Sequence, residues 1–137
     1  MQVLFIAGFG PISRESGPAR SFYLDALGLH LESDGDYLHT GDLPGARHFA
    51  VWPLADAARS CFGREAWPAD LPVPQAWLEF DVEDIAGATR ELEQRGYRLL
   101  VADREEPWGQ RVTRLIGPEG LLVGVTHTPW LREGPQD

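Results

Sequence analysis

Apolar and polar positions alternate with two different periods along the chain, and the changes of period mark its elements. Val3 to Phe9 is an apolar run fit for a buried strand, ended by Gly8, Gly10 and Pro11. After a polar loop to Gly17, Pro18 opens a helix. Its Ala19, Phe22, Tyr23, Ala26 and Leu27 fall on one stripe, and Gly28 stops it. Leu29 to Glu32, Tyr37 to Thr40 and Arg47 to Leu54 read as strands, separated by turns at Asp34-Gly35-Asp36 and Gly41 to Gly45. Residues 55 to 75 carry Pro68, Pro72 and Pro74 and read as a linker with one helical turn.

The pattern then repeats. Ala76 to Val82 is a strand, Asp84 caps a helix with Ile85, Ala88 and Leu92 inward, Gly96 ends it, and Tyr97 to Val101 is a strand. Glu106 to Arg111 is a loop. Val112 to Ile116 and Leu121 to Thr128 form a closing hairpin over Gly117-Pro118-Glu119-Gly120, where Pro118 presets the turn and the glycines permit angles other residues avoid. Setting Gly28 on Gly96, an offset of 68 positions, also sets Leu24 on Leu92 and Leu31 on Leu99. The order of elements therefore reads as an internal duplication of strand-helix-strand-strand-strand. It predicts an α+β fold with a first module at 1–58, a linker at 59–75, a second module at 76–130 and a tail at 131–137.

Composition narrows the partners. The chain has 137 residues, enough for a core, and a formal net charge of −9, which argues against nucleic acid and anionic membranes and favours cationic partners. Its one cysteine, Cys61, excludes an internal disulfide, and no apolar run is long enough for a membrane span; both fit a cytoplasmic protein. No nucleophile elbow, phosphate-binding glycine loop or dinucleotide fingerprint is present.

The order of elements, the run Phe22-Tyr23-Leu24-Asp25-Ala26-Leu27-Gly28-Leu29 and the ending Gly117-Pro118-Glu119-Gly120-Leu121-Leu122-Val123 resemble the vicinal oxygen chelate superfamily of glyoxalase I, extradiol dioxygenases and bleomycin-resistance proteins. The resemblance extends from Val3 to Trp130. It implies two βαβββ modules, each curling an open sheet around a cavity, and a homodimer. Pro107-Trp108-Gly109-Gln110-Arg111 resembles a run in the antibiotic-binding branch.

Metal-dependent members place a histidine on the first strand of a module and a carboxylate on its last. At the matching positions this chain has Ile6 or Gly8, Trp77 and Gly124, leaving His48 alone as a plausible ligand, and one histidine makes no metal site. In Ala76 to Val82 the apolar Leu78, Phe80 and Val82 should pack under helices, leaving Trp77, Glu79 and Asp81 on the concave face. His48, Ala50 and Trp52 share a face of the preceding strand, and Gly124 leaves space on the last one. A hollow with aromatic faces and carboxylates suits a flat or cationic ligand.

The expectation is a metal-independent, cofactor-free protein that binds a small molecule through His48, Trp52, Trp77, Glu79, Trp108, Arg111 and Gly124. The alternative is a divalent-metal lyase or dioxygenase built on His48, Glu79 and His127. Replacing Trp77 or Trp108 by Ala is expected to weaken binding without unfolding the chain. Glu79 is expected to pair with Arg111 or Arg114, His39 and His127 to lie at the surface or at strand ends, and Cys61 to be inert.

Overall fold

The computed structural model describes residues 1–132. Two strands, β1 (Val3–Ser13) and β5 (Ala76–Val82), lie antiparallel at the centre of one eight-stranded mixed sheet. The first half adds β2 (Glu32–Asp34), β3 (Tyr37–Thr40) and β4 (Phe49–Pro53); the second adds β6 (Val101–Glu105), β7 (Arg111–Ile116) and β8 (Leu122–His127). The strand order is β2-β3-β4-β1-β5-β8-β7-β6, so each half runs outward from the centre in the same sense. In both halves the last strand returns parallel to the first, β4 on β1 and β8 on β5. The duplication is therefore one of topology, and the sheet curls about a hollow, as the α+β reading expects.

Strand parity sorts the side chains. Trp77, Glu79 and Asp81 of β5 lie opposite Leu122, Gly124 and Thr126 of β8 on the concave face, while Leu78 and Phe80 lie opposite Val123 and Val125 on the convex one. Helix α3 (Ile85–Gln94) covers the convex face of the second half. Asp84 caps it by accepting from Gly87 N at 3.1 Å, and Ile85, Ala88 and Leu92 pack on Val82 and Val125. Gly96 ends it in the left-handed region at φ 87°.

The corresponding helix of the first half behaves differently. A short α1 (Ser16–Arg20) widens into a π-helical stretch, Ser21–Ala26, marked by Leu27 N donating to Phe22 O. Gly28 ends it at φ 68°, the duplicate of Gly96. The expected apolar stripe is not buried: Phe22 is 52% and Leu27 53% exposed. Tyr23 does reach the sheet, its ring 6.3 Å from Phe49.

Several boundaries differ from expectation. β1 runs on through Gly8, Gly10 and Pro11 to Ser13, because Gly8 and Gly10 lie under the Trp77 indole and continue the pairing with β5. β2 and β6 begin later than the expected strands, at Glu32 and Val101. The largest change is α2 (Leu54–Phe62), which crosses the boundary at 58 where a linker was expected. It buries Ala57 and Cys61 against Ile12, Ala50, Trp77, Val101, Val112 and Leu122, so this segment forms core on the concave side. Gly63 closes it at φ 73°. At the C-terminus α4 (Pro129–Arg132) is a single turn; the rest of the expected tail, from 133 on, lies outside the described residues. No described helix is long and apolar enough to cross a membrane.

Candidate functional site

The concave face encloses a cavity of about 590 Å³. Its floor is Trp77, 5% exposed, whose indole lies across β1 and donates from Nε1 to Ala50 O at 3.0 Å. Space for it is made by two glycines. A Cβ on Gly8 would stand 2.9 Å from Trp77 Cη2, and one on Gly10 would stand 1.8 Å from Ala50 O and 3.1 Å from Trp77 Nε1. The Trp52 ring meets Trp77 edge-on at 6.0 Å. Trp108 and Trp130, both about half exposed, stand at the mouth.

The second half supplies a polar floor that is closed on itself. Gln110 donates from Nε2 to Glu79 Oε1 at 3.1 Å and to Thr128 Oγ1 at 2.9 Å, and accepts from Trp108 Nε1 at 3.0 Å. An indole only donates and a carboxylate only accepts, so the amide has one consistent orientation. Arg114, almost fully buried, reaches Glu79 Oε2 at 3.5 Å, Glu106 Oε1 at 3.1 Å and Ser60 Oγ of α2 at 2.9 Å, with its guanidinium 5.2 Å from the Trp52 ring centre. Asp81, fully buried, accepts from Thr128 N at 2.9 Å, Thr128 Oγ1 at 2.8 Å and Arg132 Nε at 2.9 Å, anchoring α4.

The first half supplies a stack of rings. Tyr37 Oη and His48 Nε2 are 2.8 Å apart, and the Tyr37 ring stacks on His39 at 4.9 Å and on His48 at 6.4 Å. His39 Nε2 meets Asp34 Oδ2 at 2.7 Å. Burial, reinforced by the neighbouring charges of Glu79 and Asp34 against the opposing Arg114, pushes the Tyr37 hydroxyl well above the usual phenol range. Burial, with His39 beside it, pulls His48 below the usual histidine range, so it is neutral at pH 7.

Of the expected site residues, His48, Trp52, Trp77, Glu79 and Trp108 line this one cavity. Gly124 lies opposite Glu79, where a Cβ would meet Glu79 Cγ at 3.1 Å. Arg111 is not brought there. It shares a strand face with Thr113, whose hydroxyl meets Thr89 of α3 at 2.6 Å, and it binds Asp103 Oδ1 at 2.8 Å on the convex side. Glu79 pairs with Arg114 and not Arg111, because only the even positions of β7 share its face. His39 belongs to the cavity wall rather than to the surface, and His127 is not part of the lining. Tyr37, Gln110, Arg114, Thr128 and Trp130 had not been assigned to the site. The Tyr37-Leu38-His39 alternation around buried Leu38 is a signal that places Tyr37 and His39 on one face, toward the cavity. Cys61 is buried in α2, where burial raises its thiol pKa.

The donor set does not fit a divalent ion. On the concave strands β1 presents Gly8, β5 Trp77 and β8 Gly124, none with a ligating atom; His48 Nε2 is bonded to Tyr37, and Glu79 to Gln110 and Arg114. Among the described residues no three His, Cys, Asp or Glu side chains gather into a metal-holding group.

Comparison with known proteins gives a family and a fold. The model of the Glyoxalase/Bleomycin resistance protein/Dioxygenase superfamily matches residues 17–125. No curated protein matches. A superfamily member from Vibrio splendidus 12B01 is 14% identical, with a TM-score of 0.57 over 88% of this chain and 96% of its own. The methylmalonyl-CoA epimerase of Streptomyces coelicolor, solved with 2-nitronate-propionyl-CoA, is 17% identical, with a TM-score of 0.55 over 98% of this chain and all of its own. The methylmalonyl-CoA epimerase of Mycobacterium tuberculosis is 19% identical, with a TM-score of 0.55 over 96% of this chain and 93% of its own. At such identities the structural likeness speaks for the fold alone.

Proposed function

The chain belongs to the Glyoxalase/Bleomycin resistance protein/Dioxygenase superfamily, and from that premise we propose that it is a metal-independent binding protein that sequesters an aromatic or cationic small molecule, an antibiotic being one such compound. The observation that carries this reading is the division of labour in the cavity. Its polar floor is already paired internally, while aromatic faces of Tyr37, Trp52, Trp77, Trp108 and Trp130 line an open volume of about 590 Å³. Stacking and cation–π attraction then supply the binding energy, about 0.5–2 kcal/mol per well-placed ring. Asp34, Asp56 and Glu79 in the lining outnumber Arg114, which Glu106 shares, and neutral His48 does not oppose a cation.

In this reading His48, Trp52, Trp77, Glu79 and Trp108 contact the ligand and Gly124 keeps room beside Glu79. We also infer a homodimer, supported by the exposed apolar residues Leu4, Ile6, Phe9 and Phe22 on and beside β1. Calorimetric titration with proflavine, a planar cation, in the presence of a chelator tests the binding claim. The expected result is saturable binding at one site per chain, weakened by Trp108→Ala. Absence of saturable binding, or binding that appears only when divalent metal is added, would contradict it.

A further inference from the structure

Tyr37 and His48 face the cavity as a pair, and hydrogen-bond arithmetic shows what they have left to offer. A phenol and a neutral imidazole hold one O–H and one N–H donor, with acceptors on the phenol oxygen and on one ring nitrogen. Their 2.8 Å bond uses one donor and one acceptor, and neither side chain has another hydrogen-bond partner among the described residues. If Nε2–H donates to Oη, the Nδ1 lone pair and the Tyr37 O–H remain free. If Tyr37 donates to Nε2, the Nδ1–H and the phenol oxygen remain free. Either tautomer leaves one donor and one acceptor, in contrast to the closed network of Glu79, Gln110 and Arg114 across the cavity.

We propose that this pair is a metal-free proton-transfer site, which removes an acidic proton from a flat compound held against Trp77 and hydrogen-bonds the negative charge that develops. This goes beyond the binding reading and rests on it only in that the compound enters the same cavity. In the first tautomer Nδ1 takes the proton directly. In the second the phenol oxygen takes it as its own proton passes to Nε2. Both routes end with an imidazolium, a neutral phenol and the electron pair left on the substrate. The environments of the two groups hold them on opposite sides of neutrality, the phenol protonated and the imidazole free of charge, as an acid and a base at pH 7 require. The charged and titratable groups facing the pair are Asp34 and His39 from the outer strands, Glu79 and Arg114 from the second half, and Asp56 from α2.

The probe is 5-nitrobenzisoxazole, a flat aromatic whose ring opening needs only a base. The base takes the ring C–H proton, that electron pair completes the nitrile, and the N–O bond breaks to release a coloured phenolate; the proton then leaves to water. The full chain should open it with a rate that falls in acid with an inflection below about 6.5, the ordinary histidine value. His48→Gln should lower the second-order rate about a hundredfold, and Tyr37→Phe should lower it less while moving the inflection. Circular dichroism confirms that each variant is folded, and the acid inflection of the unmodified chain needs no variant. A rate equal to that of His48→Gln, or one with no acid inflection, overturns the proposal. Proflavine binding without a His48-dependent rate leaves binding standing and removes proton transfer; a His48-dependent rate without proflavine binding does the reverse.

Discussion

The two halves of the sheet share a strand order and differ in where they keep their unsatisfied surface. In the second half α3 is capped by Asp84 and buries Ile85, Ala88 and Thr89, while Glu79, Asp81, Gln110, Arg114 and Thr128 bond mainly to one another. In the first half the α1 and π-helical segment buries nothing, leaving Phe22 and Leu27 exposed, and Tyr37 and His48 share a single bond. A duplicated topology has thus become a scaffold half and a half with chemistry and contact surface to spare. Trp77 joins them, rooted on β5 and lying over the glycines of β1.

The joint is where the comparison breaks most easily. Trp77→Ala should cost about 3–5 kcal/mol in chemical denaturation, because it empties the floor and leaves Ala50 O without its donor. This revises the expectation that the change would weaken binding alone; Trp108, half exposed, retains it. Arg114→Ala should cost about 3 kcal/mol by the same measurement, since Glu79 would remain largely buried without its cation, while Glu106 would keep only Arg104 at 2.6 Å. Asp84→Ala should cost about 1 kcal/mol through the lost cap of α3.

Acid should act through the first half. His48 is held below the ordinary histidine range in the folded state, so unfolding takes up a proton as the pH falls below about 6.5. Stability therefore declines through this group as the pH falls below about 6.5, and His48→Gln should flatten that part of the profile. A variant with an unchanged slope would place His48 in water. The smallest effect belongs to Phe22→Ala, under about 0.5 kcal/mol at dilutions where the chain is monomeric. A cost that grows with protein concentration would support the proposed homodimer and its use of the convex face of the first half.

How much of this could be read from the chain depends on the range of the interactions involved. The Leu78, Phe80, Val82 alternation and the helix-ending Gly28 and Gly96 are local, and they carried the duplicated fold. Helix α2 was hidden because Pro53 supplies no capping side chain and the prolines beyond it suggested a linker, although Ala57, Ala58 and Cys61 lie on one buried side. The choice between Arg111 and Arg114 turns on strand parity, which only the register of β7 on β8 fixes. Tyr37 stands on β3 and His48 in the loop just before β4, so their contact is a product of tertiary pairing that no local spacing displays.

Metal analysis of the purified chain, after incubation with divalent ions and dialysis, tests the central claim most directly. A cavity with glycine, tryptophan and glycine at the ligand positions should retain far less than one ion per chain. Close to one ion per chain, surviving dialysis and lost on His48→Gln, would contradict metal-independent binding and return the cavity to metal chemistry.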